Sequence, residues 1–338
     1  MADGRERCLA EMASRDLDAL FLGRESNARF VSGATRLWLQ GARAFAPTCV
    51  VVRATGAVHL LSITDAGVPP SLPVEQLYPT SWNPMRLVET IAAIDGVRAA
   101  RHIGVDGMTP MFEQLIGAVL PDAELADGEA ALRAARRVKQ PDEIDGIRAA
   151  VAMAEDAFGV ALTALRPGVR ERELVGVFEA RMATLGSSTP AYEGTFCVVD
   201  GDGPIRRITS ERVIEDGDLV AMSAGVLRGG WEGSLARTVV CGAPSDAQRR
   251  RLADRAAERA AHLAGLAAGT RVGAVRDAIG PGRIFGVGLG YEGLADDDVL
   301  EPGMVVGIEL AGAGVLDQDL VLVGAAGPQT LTTLANSA

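Results

Sequence analysis

Residues 217–238 read GDLVAMSAGVLRGGWEGSLART, and this stretch decides the fold. An Asp-bearing turn opens the apolar run Leu219–Met222, which spells a buried strand. Leu227–Gly230 supplies a Gly-rich hairpin, and Trp231–Val240 reads as the returning strand. Ser223 and Ser234 place neutral hydroxyls in the two strands, and Arg237 and Thr238 close the second.

Moving outward, three downstream stretches carry the same kind of pattern: IFGVGLGYEG (284–293), PGMVVGIELAG (302–312) and VLDQDLVLV (315–323). Upstream, KQPDEIDGIRAAVAMAEDAF (139–158) opens a helix, with Pro141 at its start and Asp142 and Glu143 complementing its dipole. Together these resemble the creatinase/prolidase/aminopeptidase P superfamily, the M24 or pita-bread enzymes. That family carries a G-D-hydrophobic run, then D-x-G, a hairpin and S-D-x-T-R-T. Here the first Asp falls on Ser223 and the second on Ser234, whereas Gly225, Arg237 and Thr238 match. The resemblance implies a pita-bread domain preceded by a creatinase-like α/β domain, and it spans residues 6–330.

The first part of the chain agrees. Helical spacing at Glu6–Arg15 leads to a strand at Leu17–Leu22, then SNARFVSGA (26–34), and strands at Thr48–Arg53 and Ala57–Ile63. Helices are predicted at Pro84–Ile94 and Met111–Ala118 around a strand at Arg101–Val105, the alternation of an α/β layer. The boundary is placed near residue 135, giving a domain over 1–135 and a pita-bread domain over 136–338. In the second, Glu171 and Glu173 open a helix running to about Leu185. Ala191–Val199 and a turn at Asp200–Gly203 precede the first site strand, and Val272–Ile279 reads as a short helix.

Composition bounds the partners. The 338 residues are 48% hydrophobic and 23% charged, enough for two substantial cores. A net charge of -11, with no basic stripe, argues against nucleic acid and anionic membrane. MADGRERCLA lacks an apolar leader core and no run of about 18 apolar residues occurs, which points to a cytoplasmic protein. Cys8, Cys49, Cys197 and Cys241 are far apart and read as buried reduced thiols. Forty glycines with abundant Ala and Arg suggest a high-GC bacterial gene.

At the site the resemblance implies five metal-ligand positions, and four of them are exchanged. Ser223, Ser234, Phe285 and Gln318 stand where Asp, Asp, His and Glu would be; Glu309 keeps its charge. Arg206 or Arg207 falls where a substrate-contacting His is usual, one that metal-free members use as acid/base, and Glu292 lies near a Glu or His that contacts substrate. A divalent pair needs hard anionic oxygens, and one carboxylate leaves two buried dications uncompensated. No metal or other cofactor is therefore expected. His59, His102 and His262 fall outside every site position.

The expected site combines Glu309, Glu232 and Glu292 as acid/base groups with Arg206, Tyr192, Trp231, Arg237, Ser223, Ser234, Phe285, Gln318 and Asp319 for the substrate. Carboxylates in a cleft without metal should have raised pKa values, which suits proton transfer. Bland readings stand beside these: Glu232 as an exposed hairpin residue, Asp319 as the salt-bridge partner of Arg237, the two serines as neutral fillers. A serine nucleophile lacks a G-x-S-x-G elbow and a base, and GVGLG lacks the spacing of a dinucleotide loop. The preferred function is a metal-independent enzyme on a small amino-acid-derived, guanidino or amide-like substrate. The alternative is a non-catalytic homologue that binds a ligand or pairs with an active paralogue, and a metal-dependent Xaa-Pro peptidase ranks below both. Family resemblance implies a homodimer, with a heterodimer as the variant.

Overall fold

The structure, a computed structural model, describes residues 2–35, 46–62, 64–79, 81–201 and 203–334. Ile63, the expected end of one strand, and Asp202, in the expected turn, lie outside the described residues. The chain divides into two compact units, Met1–Arg137 and Val138–Ala338.

In the first unit the strands are β1 (Ala19–Leu22), β2 (Cys49–Val52), β3 (Ala57–Leu61), β4 (Leu77–Tyr78), β5 (His102–Val105) and β6 (Glu124–Asp127). They form one mixed sheet in the order β4-β3-β2-β1-β5-β6. Its helices are α1 (Ala2–Ser14), α2 (Glu25–Ser32), α3 (Pro84–Ala92), α4 (Pro110–Val119) and α5 (Glu129–Arg137). The SNARFVSGA stretch is thus α2, ended by Gly33 at φ 72°, a conformation glycine adopts without strain. Asn83 and Thr109 cap α3 and α4, each with Pro in the first turn. Phe21, Val50, Leu87, Ile91, Ile103, Phe112 and Ile116 bury the layer between sheet and helices.

The second unit opens with α6 (Pro141–Ala164) and α7 (Glu171–Thr184), followed by β7 (Thr195–Val198), β8 (Leu219–Arg228) and β9 (Trp231–Val240). Then come α8 (Asp246–Ala264), α9 (Val272–Ile279), β10 (Arg283–Gly288), β11 (Gly290–Glu292), β12 (Val305–Gly312), β13 (Val315–Gly324) and β14 (Gly327–Thr330). The sheet runs β11-β10-β12-β13-β9-β8-β7 with β14 on β13, antiparallel throughout. Gly229 and Gly230, at φ 59° and 89°, make the two-residue β8–β9 turn that positive φ at both positions favours. Met222, Ala224, Leu235 and Val239 pack against Phe158, Leu174 and Phe178 of α6 and α7. Gly233 lets α6 approach: a methyl group there would strike the Ala150–Val151 backbone.

Among the described residues no helix is long and apolar enough to cross a membrane. All four cysteines are free and buried.

Candidate active site

Strand register assembles the site. Cross-strand partners share a face, and here Ser223 faces Ala236, Ala236 faces Gln318, Gln318 faces Glu309, and Glu309 faces Arg283. Alternation adds Glu232 and Ser234 on β9 and Phe285 on β10 to the same row. The row crosses β8, β9, β13, β12 and β10.

Glu309 is 1% exposed and carries three charge-assisted hydrogen bonds. Arg207 donates Nη1 and Nη2 to its two oxygens at 3.0 and 2.7 Å, and Arg283 donates Nη2 to Oε2 at 3.0 Å. Burial pushes the carboxyl up, but the two guanidinium groups outweigh it and hold Glu309 below the ordinary carboxylate range. The Arg283 guanidinium carbon also lies 5.2 Å from the centroid of the Phe285 ring, a cation–π distance.

A second chain of contacts starts at Gln318, whose Nε2 donates to Ser234 Oγ at 2.9 Å. Ser234 donates in turn to Glu232 Oε1 at 2.9 Å. Glu232 is buried, and burial lifts its carboxyl to about 7, with the Ser234 bond opposing and nearby Glu292 adding to the rise. Gln318 Oε1 is buried without a hydrogen-bond partner among the described residues. Beside this chain the Tyr192 hydroxyl lies 3.1 Å from Ser223 Oγ, and burial pushes the phenol up.

The arrangement revises several sequence expectations. Arg206 is not the arginine of the site. It pairs with Glu171 at 2.5 Å, because Glu171, fully buried at the start of α7, gathers Val198 N, Ser210 N and Ser210 Oγ as well. That anchor fixes residues 206–210, and the neighbouring Arg207 reaches Glu309. Arg237 and Asp319 pair at 2.7 Å on the opposite face of the strands, since Arg237 faces Met222 and Asp319 faces Ile308. Both are buried and neither joins the row. Trp231 also points the other way and packs over Gly146 of α6. Glu309 is a counter-ion with two cations instead of a poised acid. Glu292 is tied to Lys139 at 2.5 Å, and Glu232 is buried, not an exposed hairpin residue.

Sequence reasoning missed Arg283 and Lys139. Arg283 sits two residues before Phe285, and period-2 alternation placed it on the site face. Nothing in the sequence around Lys139 signals a partner 153 residues away.

The profile of metallopeptidase family M24 matches residues 145–325, and that of the creatinase/prolidase N-terminal domain matches residues 5–138. The chain belongs to metallopeptidase family M24. This M24 chain is similar to the uncharacterized peptidase YqhT of Bacillus subtilis, 30% identical over 129 residues, 38% of this chain and 36% of the relative. It is 25% identical over 242 residues to an Xaa-Pro dipeptidase of Pyrococcus horikoshii, 70% of this chain and 64% of that one. The matched segments thus span about one third to two thirds of these relatives' lengths. The fold is shared end to end with the prolidase from Pyrococcus horikoshii OT3, with TM-score 0.81, 18% identity and 99% of both chains covered. An Xaa-Pro dipeptidase from Bacillus anthracis gives TM-score 0.79 at 19% identity, covering 99% of this chain and 98% of that one.

Proposed function

We propose that this M24 chain acts on a small amino-acid-derived amide or guanidino compound without a divalent pair, by acid/base chemistry centred on Glu232. One observation carries the reading: a buried carboxyl raised to about 7, held by Ser234, in the middle of the row where the family resemblance places metal ligands. A group titrating near neutral pH supplies either form at working pH, the condition for efficient proton transfer.

The donor set does not fit the divalent ions that the family implies. The five positions offer two serine hydroxyls, an amide, a phenyl ring and Glu309, and Glu309 already has both oxygens on guanidinium groups. Among the described residues no group of three or more His, Cys, Asp or Glu is arranged to hold a metal. Hard divalent ions need anionic oxygens, and the cations here are side chains. No step is therefore drawn through a metal. Arg207 and Arg283 fix the counter-ion, Tyr192, in contact with Ser223, lies near enough to feel its charge, and Glu292, paired with Lys139, adds to the rise at Glu232.

The rival reading is a metal-dependent peptidase, supported by the relatives, among them Xaa-Pro dipeptidases. A homodimer, as the resemblance implies, belongs to the proposal, and a ligand-binding homologue without turnover is the remaining alternative. The test is a panel of N-acyl amino acids, guanidino acids and Xaa-Pro dipeptides, with and without chelator. Turnover should survive the chelator and fall on the order of 10²–10⁴-fold in Glu232→Gln. Undiminished turnover in a folded Glu232→Gln variant would remove the assignment.

A further inference from the structure

Three features of the row point beyond proton transfer. First, Arg283 spends one nitrogen on Glu309 and has no other hydrogen-bond partner among the described residues; its side chain is 54% exposed and rests on Phe285. Second, Arg207 holds both oxygens of the same carboxylate and is 44% exposed, so two guanidinium groups converge on one buried anion. While Glu232 is protonated, one positive charge is left over. Third, Gln318, opposite Glu309 in the register, turns a buried and unpartnered Oε1 into the same row.

A guanidinium group fixed by a buried carboxylate and an aromatic ring has lost most of its rotamer freedom, so a further hydrogen bond from it costs little ordering. Its planar fork of donors matches a carboxylate. Arg283 also lies close enough to Glu232 and Tyr192 for its charge to act on both. An anion seated on its free edge therefore lies beside the proton-transfer group, and the orphaned Gln318 oxygen can accept from an N–H of the same molecule.

We infer that Arg283, supported by Arg207, is the built-in cationic centre of the site and receives a carboxylate group of the ligand. This deepens the proposed function and takes from it only the location of the site. The excess of one positive charge favours a monoanion over a dianionic phosphate. Gln318 Oε1 then selects a carboxylate that also carries an N–H.

The test uses the full chain with acetate, N-acetylglycine and inorganic phosphate as probes, binding being followed by saturation-transfer NMR in the presence of EDTA. Acetate should bind in a saturable way, and N-acetylglycine more tightly. Arg283→Gln should weaken both on the order of ten- to a hundredfold, the worth of a charged hydrogen bond. Arg276→Gln, a surface arginine of α9 paired with Asp296, should change neither. Should Arg283→Gln not fold, Arg207→Gln gives the same comparison. Absence of saturable acetate binding, equal binding in the arginine variants, an equal loss in Arg276→Gln, or tighter binding of phosphate than of acetate would each overturn the inference. N-acetylglycine binding no tighter than acetate would overturn the part assigned to Gln318. Because the probes need no turnover, a chain that binds them but transforms nothing refutes the acid/base reading alone.

Discussion

Glu309→Gln separates a counter-ion from a catalyst. The substitution keeps shape and removes the charge that faces Arg207 and Arg283. Three hydrogen bonds to charged donors are affected, each worth roughly 1.5–3 kcal/mol where both partners are buried. Only the carboxylate is buried here, at 1% exposed, while the arginine side chains are 44% and 54% exposed and can turn to water. Solvent screening cuts the sum steeply, to about 2–3 kcal/mol. For a unit of this size that corresponds to a fall of roughly 5–10 °C in Tm. The pH dependence has a definite sign. Glu309 lies below the ordinary carboxylate range when folded, so its contribution is complete above that range and is lost as pH falls through the folded value. Thermal melts of wild type and Glu309→Gln should thus differ fully at neutral pH and converge in acid. Turnover and probe binding should fall only as the two arginines lose their anchor. An unchanged Tm with turnover reduced by several orders of magnitude would refute the reasoning and return Glu309 to a catalytic role.

Glu232 predicts the opposite trend. Its folded pKa is raised to about 7, so its favourable contribution is present below the ordinary carboxylate range and is lost as pH rises through about 7. Wild-type Tm should decline over that window and Glu232→Gln should decline less, as calorimetry across the window will show; parallel curves would contradict the burial argument. In a pH–rate profile, an apparent pKa near 7 should vanish with the same substitution. Arg237→Ala should destabilise in denaturant melts by about 3 kcal/mol, the low end for breaking a buried pair, because Asp319 loses its nearest cation and keeps only Arg259 at 3.4 Å and the Thr332 hydroxyl, and a change near zero would contradict the pairing. That loss should leave the probe affinity of the remaining folded protein unchanged, since Arg237 lies on the opposite face.

Much of the fold was legible because its signals are local. The Asp-bearing turn, the paired glycines at 229 and 230, and Pro141 before two acids each dictate backbone geometry without reference to distant residues. The site was legible only in part, because membership depends on which face of a strand a residue takes and on contacts far away in sequence. Ser234 and Arg237 sit three apart on one strand, so odd spacing sends them to opposite faces; a motif read as a string lists both together. The choice between Arg206 and Arg207 turned on Glu171, 35 residues upstream, which claims the first and leaves the second to Glu309. Charge balance explains the rest. In a cleft without nearby cations, Glu309 would be a poised acid. Once Arg207 and Arg283 are placed around it, the raised carboxyl of the row is Glu232.

The most direct measurement of the central claim is elemental analysis of the purified chain, followed by turnover on the substrate panel before and after exhaustive chelation. Mn, Fe, Co and Zn should all lie far below one equivalent, and activity should be indifferent to chelator. A tightly bound divalent pair, with activity lost on chelation and regained on adding the metal back, would contradict it.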